Sequence, residues 1–159
     1  MAIIDAKELA AYIKYKYTEQ TGIENIPPIK LQKALYLLLA YWGGFIRKGT
    51  INPDFSEICL HDYDEILFDN RIEAWVYGPV VPSVYAIQDS IIPNANIAVD
   101  DYIKSFIDEL LEDIFKVSDF KLVELTHNDL AWKNNFDYDA EFHNQQITVE
   151  EIISEYARR

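Results

Sequence analysis

The sequence predicts a mainly α protein, a single-domain helical bundle of about six helices with a small β element of one or two short strands. Three observations carry this. Apolar residues recur at helical spacing in several segments, each opened by a capping or proline signal. One short segment alternates apolar and polar residues instead, as a half-buried strand does. Half of the 159 residues are hydrophobic while glycine occurs only 5 times, which suits one packed core and excludes repeats and low-complexity tracts.

The elements follow in order. Asp5 opens the first helix, with Glu8 placed to complete a capping box, and Leu9, Tyr12, Ile13 and Tyr17 share one face before Gly22 stops it. Pro28 suits the first turn of a second helix. There Leu31, Ala34, Leu35, Leu38 and Trp42 form a buried stripe, and Tyr36, Leu37, Leu39 and Tyr41 extend apolarity around the cylinder. A helix apolar nearly all round is a central one. Gly43-Gly44 weakens its far end, with the pattern able to resume through Phe45 and Ile46. Residues 50–70 read as a loop insertion with a turn at Asn52-Pro53-Asp54.

The segment Arg71 to Tyr77 is the best strand, with Ile72, Ala74 and Val76 on one face, and Gly78-Pro79 ends it abruptly. Pro82 starts a short helix containing Val84, Tyr85 and Ile87. Asp100 or Asp101 caps an amphipathic helix whose stripe is Ile103, Phe106, Ile107, Leu110, Leu111, Ile114 and Val117. Ser118 caps a further short helix. A polar, aromatic loop is expected from His127 to Gln146, and Thr148 with Glu151 forms a capping box for the last helix. The domain is expected to span residues 1–159.

Charge narrows the function. Fourteen basic against 27 acidic residues give a formal net charge of −13. Phosphate backbones and anionic membranes repel such a surface, so direct nucleic-acid binding and membrane binding are not expected, and a basic protein partner is the natural complement. The Met1–Glu8 start lacks the apolar core of a signal peptide, and the longest apolar stretch, Ala34 to Ile46, is too short to span a bilayer, so a cytoplasmic location is expected.

Catalytic signatures are sparse. The single cysteine, Cys59, excludes an internal disulfide and a thiolate zinc site. His61-Asp62, with Asp64 nearby, could serve a metal-dependent hydrolase, but His127 and His143 supply no matching ligand spacing. No phosphate loop, dinucleotide fingerprint or nucleophile elbow is present. We therefore expect no catalytic residue, no metal and no cofactor. The most unusual segment is Trp75-Val76-Tyr77-Gly78-Pro79-Val80-Val81-Pro82, either a rigid structural corner or an aromatic patch for a partner. Lys30-Leu31-Gln32-Lys33 opens the central helix with two lysines that either meet internal carboxylates or bind a partner.

Taken together, three segments resemble the Panacea antitoxin domain family of SocA-like and phage-associated GepA-like proteins. They are Lys30-Leu31-Gln32-Lys33-Ala34-Leu35-Tyr36, then Ile72 to Tyr85 with Trp75, Tyr77, Gly78, Pro79 and Val80, then Thr126-His127 with Trp132. The resemblance runs from the first helix to Trp132 and on to the last helix, and departs from the family in the longer 50–70 stretch, in Gly43-Gly44 late in the central helix and in Ala131, where the family often has proline. It implies a non-enzymatic protein that neutralises a cognate toxin, basic and encoded nearby, by direct contact. The contact or motif residues it implies are Lys30, Gln32, Lys33, Tyr36, Trp75, Tyr77, Gly78, Pro79, Val80, Tyr85, Thr126, His127 and Trp132. Two alternatives stand beside it: an adaptor that delivers its partner to a protease, and a metal-dependent hydrolase using the His61/Asp62 loop. Self-association stays open, because an amphipathic stripe looks the same facing its own core or a second copy.

Overall fold

A second helix almost without a polar face organises everything else. In the computed structural model, which describes residues 2–51 and 62–159, every residue from 30 to 40 is buried. This helix, α2 (Pro28–Ile51), is wrapped by α1 (Ala6–Thr21), α4 (Asp101–Phe115), α5 (Asp119–His127) and α7 (Val149–Ala157). Two four-residue α-helices, α3 (Pro82–Tyr85) and α6 (Leu130–Lys133), and a 3-10 turn at Gln88–Ser90 lie among the described residues as well. A three-stranded antiparallel sheet of order β2-β1-β3 caps one end of α2. Its strands are β1 (Ile72–Trp75), β2 (Gly78–Val80) and β3 (Gln145–Ile147). The protein is mainly α with a small β element, as its sequence predicts.

The helix signals act locally as expected, with one change. Asp100 accepts from the Ile103 N–H, Ser118 from Lys121, and Thr148 and Glu151 form the reciprocal capping box. Gly22 ends α1 in the left-handed conformation, at φ 74°. Asp5 caps α1 through the Lys7 N–H, one residue short of the position a box with Glu8 requires.

Gly43 and Gly44 do not end α2; the helix continues to Ile51. A Cβ on Gly43 would lie 2.5 Å from Ile153 Cγ1, and one on Gly44 would lie 2.8 Å from Tyr156 Cβ. The two glycines therefore let α7 approach the backbone of α2, a packing gain that outweighs their cost of about 1 kcal/mol each relative to alanine.

Two expectations need correcting. Gly78-Pro79 does not end the β element. The chain reverses at Val76-Tyr77 and returns as β2, pairing Trp75 with Gly78 and Glu73 with Val80. The stretch from His127 to Gln146 is not a plain loop. It holds α6 and then β3, which pairs Ile72 with Ile147 on the other side of β1. Burial on one side only explains why β3 escaped: Gln145 and Gln146 are exposed and Ile147 alone enters the core.

Cys59 and His61 lie outside the described residues, as does the expected turn at Asn52-Pro53-Asp54. Of the remaining loop, Asp64 accepts the Trp42 indole N–H on its backbone oxygen at 2.9 Å and the Ile66 N–H on its carboxylate. Among the described residues no group of three or more His, Cys, Asp or Glu could hold a metal ion. No helix there is long and apolar enough to cross a membrane.

Candidate functional site: a pinned hairpin tip

The β1–β2 turn is where the unusual segments meet. Neither turn residue, Val76 or Tyr77, has a positive φ, and the left-handed backbone that closes the turn falls on Gly78, at φ 112°. L-residues rarely tolerate that angle. Space forbids a side chain there as well: a Cβ would lie 2.8 Å from Thr126 Oγ1 and 2.9 Å from Lys33 Cε. Thr126 is held in that position by donating to the Leu122 and Val123 carbonyls of its own helix.

A reversal leaves backbone carbonyls without ladder partners, and here side chains from three helices take them. Lys33 Nζ donates to the Pro79 carbonyl at 3.2 Å. Trp132 Nε1 donates to the Trp75 carbonyl at 2.8 Å, and His127 Nε2 lies 2.8 Å from the Val76 carbonyl. Gln32 behaves as an extra strand: its Oε1 accepts from the Val81 N–H at 2.8 Å and its Nε2 faces the Val81 carbonyl at 3.5 Å. The basic cluster at the start of α2 and the Thr-His/Trp pair at α5–α6 thus grip one hairpin from two sides.

Lys33 is the costliest of these contacts. It is 1% exposed, and no carboxylate pairs with it among the described residues. Burial pushes its amine down to about 7. Its neighbour Lys30 does meet a carboxylate, Asp119 at 3.4 Å, and reaches the Tyr17 ring at 6.0 Å. The two lysines of the cluster therefore divide: Lys30 pairs with an acid, and Lys33 pairs with a carbonyl.

The outer side of the tip is apolar and open. Tyr77 is 63% exposed and Val76 49%. Trp75 is half-buried, with Nε1 on Glu73 at 3.0 Å and its ring edge-on to Tyr85 at 5.0 Å. Val80 and Pro79 are buried beneath. Three clefts surround the tip, and Val76 lines all of them. One, of about 410 Å³, lies between Ile29, Val80, Trp75, Tyr77 and Tyr85. A second, of about 700 Å³, runs along His127, Trp132, Phe136, Tyr138 and His143. The third, of about 590 Å³, reaches Phe120 on α5, which is 82% exposed.

His127 and Trp132 carried a motif signal in the sequence, whereas Phe136, His143, Ile29 and Phe120 carried none for this site. His127, Trp132, Phe136 and His143 form a continuous ring stack, with successive centroids 4.1, 4.7 and 4.6 Å apart. Aromatic rings inside the acidic run Asp137-Tyr138-Asp139-Ala140-Glu141-Phe142 were the available clue. Ile29 and Phe120 were not distinguishable from core residues, since exposure is decided by neighbours far away in sequence.

Tyr36 does not join the hairpin. Its hydroxyl donates to Asp129 Oδ2 at 2.6 Å, as does that of Tyr156, and Arg159 Nη2 reaches Asp129 Oδ1 at 2.8 Å. Burial and the carboxylate raise both phenols well above their ordinary value. Beside them Glu155 accepts the Leu130 and Ala131 N–H groups at 2.8 Å each. That use of the Ala131 N–H suits an alanine there, because a proline would have no hydrogen to donate. This buried cluster fixes α6, and through it Trp132.

Residues 55–133, about half of the chain, match the family model described as "Antitoxin SocA-like, Panacea domain". The match takes in the hairpin, α3 to α6 and the Thr126, His127 and Trp132 triplet. It leaves outside α1, α2 with Lys30, Gln32, Lys33 and Tyr36, and also β3 and α7. No curated protein and no solved structure matches the chain.

Proposed function

The chain carries a Panacea domain of the SocA-like antitoxin family, and from that premise we propose that it is an antitoxin-like binding module that neutralises a protein toxin by direct contact through the hairpin tip. The single observation that carries this reading is the tip itself, an apolar projection left exposed although four side chains pin its backbone. An exposed Tyr-Val pair flanked by clefts fits the aromatic anchors that dominate binding energy at interfaces. Contact residues are then Tyr77, Val76, Tyr85, Phe120 and Trp75. Lys33, Gln32, Gly78, Thr126, His127 and Trp132 are positioning residues that hold the tip, and Lys30, Pro79 and Val80 support it from below. Tyr36 serves the Asp129 cluster.

The partner is a basic toxin encoded nearby in a phage or prophage setting, drawn by the net charge of −13. The whole chain acts as one domain. Binding at the tip is non-enzymatic and needs no metal or cofactor. A neutralising interface needs about 1,000 Å² or more of contact, which requires the tip and at least two of its clefts together.

The test is rescue of growth. The adjacent open reading frame is expressed alone, then with this protein, and then with Tyr77→Asp. Toxicity relieved by the wild type but not by the variant, with copurification of the wild-type pair, is the expected result. A harmless neighbour, or one that stays toxic and does not copurify, would sink the antitoxin reading for that pair. A partner that disappears faster in the presence of this protein would replace sequestration with delivery to a protease.

A further inference from the structure

We infer that the groove of about 390 Å³ between α2, α4 and α5 carries an arginine site at its Asp129 end, filled in the free chain by Arg159 and open to exchange with an arginine of a basic partner. The chain's own residue shows which chemistry the site takes. Asp129, 2% exposed, gives Oδ2 to the two phenols and turns Oδ1 to Arg159 Nη2 at 2.8 Å. The same nitrogen reaches Glu155 Oε2 at 3.2 Å, and the guanidinium lies 4.1 Å over the Tyr156 ring. A plane that stacks on a ring while bridging two carboxylates suits a guanidinium better than a compact ammonium. Asp129 and Glu155 both form their ion pairs with this one cation. Leaving two buried carboxylates bare is costly, so the site favours a new guanidinium over standing empty.

Exchange asks little of the fold. Arg159 lies beyond the last turn of α7, and its side chain is 45% exposed. That side chain swings out, and the incoming guanidinium restores the same ion pairs. The groove supplies the gain. Tyr41 and Leu125, 44% and 43% exposed, line it with Ile114 and Val117, an apolar surface for the residue next to the incoming arginine to cover.

Charge selects a basic partner. Besides Asp129 and Arg159, the charged lining residue is Asp113, which forms no ion pair among the described residues, whereas Lys116 and Lys121 on the flanking helices face Glu112 and Glu124. Asn128 lines both this groove and the third cleft at the hairpin tip, so one partner can cover the two. The site stands on its own contacts; that its occupant belongs to the toxin rests on the antitoxin reading.

Nuclear magnetic resonance titrations of the Arg159→Ala chain test the site with N-acetylarginine amide, N-acetyllysine amide and N-acetyl-leucyl-arginine amide. The arginine amide is expected to saturate signals of Tyr41, Leu125 and Tyr156 about tenfold more tightly than the lysine amide, and the leucyl-arginine amide more tightly again. The wild type should bind both arginine probes about tenfold more weakly than the variant, because Arg159 competes. Equal affinity for arginine and lysine, equal affinity of the two proteins, or no saturable shifts in the variant would each overturn the assignment. A leucyl-arginine amide no tighter than the arginine amide would remove the groove from it. If Arg159→Ala does not fold, methylguanidinium replaces the probes. Recovery of the folded spectrum at a millimolar concentration where methylammonium has no effect is expected, and no recovery overturns the site.

The partner arm uses Leu125→Arg, which puts a second cation in the groove wall and leaves the tip alone. Copurification of the toxic neighbour weakened about tenfold is expected, and unchanged copurification would refute the toxin as the occupant. If the wild type binds no neighbour, the antitoxin reading fails for that pair and takes this assignment with it. The probe titrations then still decide whether the groove ends in an arginine site.

Discussion

Replacing Lys33 by methionine should raise stability at neutral pH and flatten its dependence on pH. The amine is held down at about 7 against an ordinary 10.5, because burial penalises its charged form. Between those values the unfolded chain binds a proton that the native chain largely does not, so stability rises with pH across that window. Titrating one such group costs the fold about 4 kcal/mol at pH 7 and about 2 kcal/mol at pH 9. Methionine keeps most of the apolar stem and has no charge to bury. It does leave the Pro79 carbonyl without its donor, a loss of about 1–3 kcal/mol that does not vary with pH. The Lys33→Met variant is therefore expected to exceed the wild type by about 1–3 kcal/mol at pH 7, and that margin should shrink by about 2 kcal/mol by pH 9. Urea denaturation at half-unit steps between pH 7 and 9 measures both. The range stops short of the region where the tyrosines titrate. Parallel stability curves for the two proteins would refute the reasoning, since the buried amine would then titrate at its ordinary value in both states.

Three further outcomes follow from the same geometry. Gly78→Ala should cost about 2–4 kcal/mol in urea denaturation, from the unfavourable φ and the contacts with Thr126 and Lys33; a loss below 1 kcal/mol would mean that the turn rearranges freely. Trp132→Phe keeps the ring but removes the donor to the Trp75 carbonyl, so a loss of about 1–3 kcal/mol is expected, with faster amide exchange concentrated at residues 75–78. Asp129→Asn should lower stability by about 3–5 kcal/mol, because Arg159 loses its buried partner and the two phenols their carboxylate; a thermal midpoint within a degree of wild type would contradict that.

Much of the scaffold was legible because it is written in local chemistry. Asp100, Ser118 and Thr148 cap helices through N–H groups three residues away, and a central α2 follows from its all-round apolarity. What stayed hidden depends on distant neighbours. Gly43-Gly44 reads as a weak point until Ile153 and Tyr156 are seen pressed against it. Strand β3 has one buried residue of three, too little for an alternating signal. Lys30 and Lys33 look equivalent in sequence, and only the fold gives one a carboxylate and the other a carbonyl. The segment Trp75–Tyr85 did announce itself, but its two possible meanings, corner or patch, turn out to belong to different residues of the same segment.

That division is the physical basis of the functional reading. Gly78 and Val80, with the donors Lys33, Gln32, His127 and Trp132, make the corner, and their side chains or backbone are buried or committed. Tyr77, Val76 and Tyr85 make the patch and keep their surface. A loop ordered only on binding would spend interaction energy on its own entropy, whereas a tip already held at the Trp75, Val76 and Pro79 carbonyls spends less. The holding residues and the contacting residues can then fail separately. Loss of Gly78 or Trp132 should weaken binding through the fold, with stability and affinity falling together. Loss of Tyr77 or Tyr85 should weaken binding at unchanged stability. A Tyr77→Ala protein that melts with the wild type and binds its partner as tightly would place the contact face elsewhere on the molecule, with the groove between Tyr41, Leu125 and Ile114 on α2, α5 and α4 the next surface to probe.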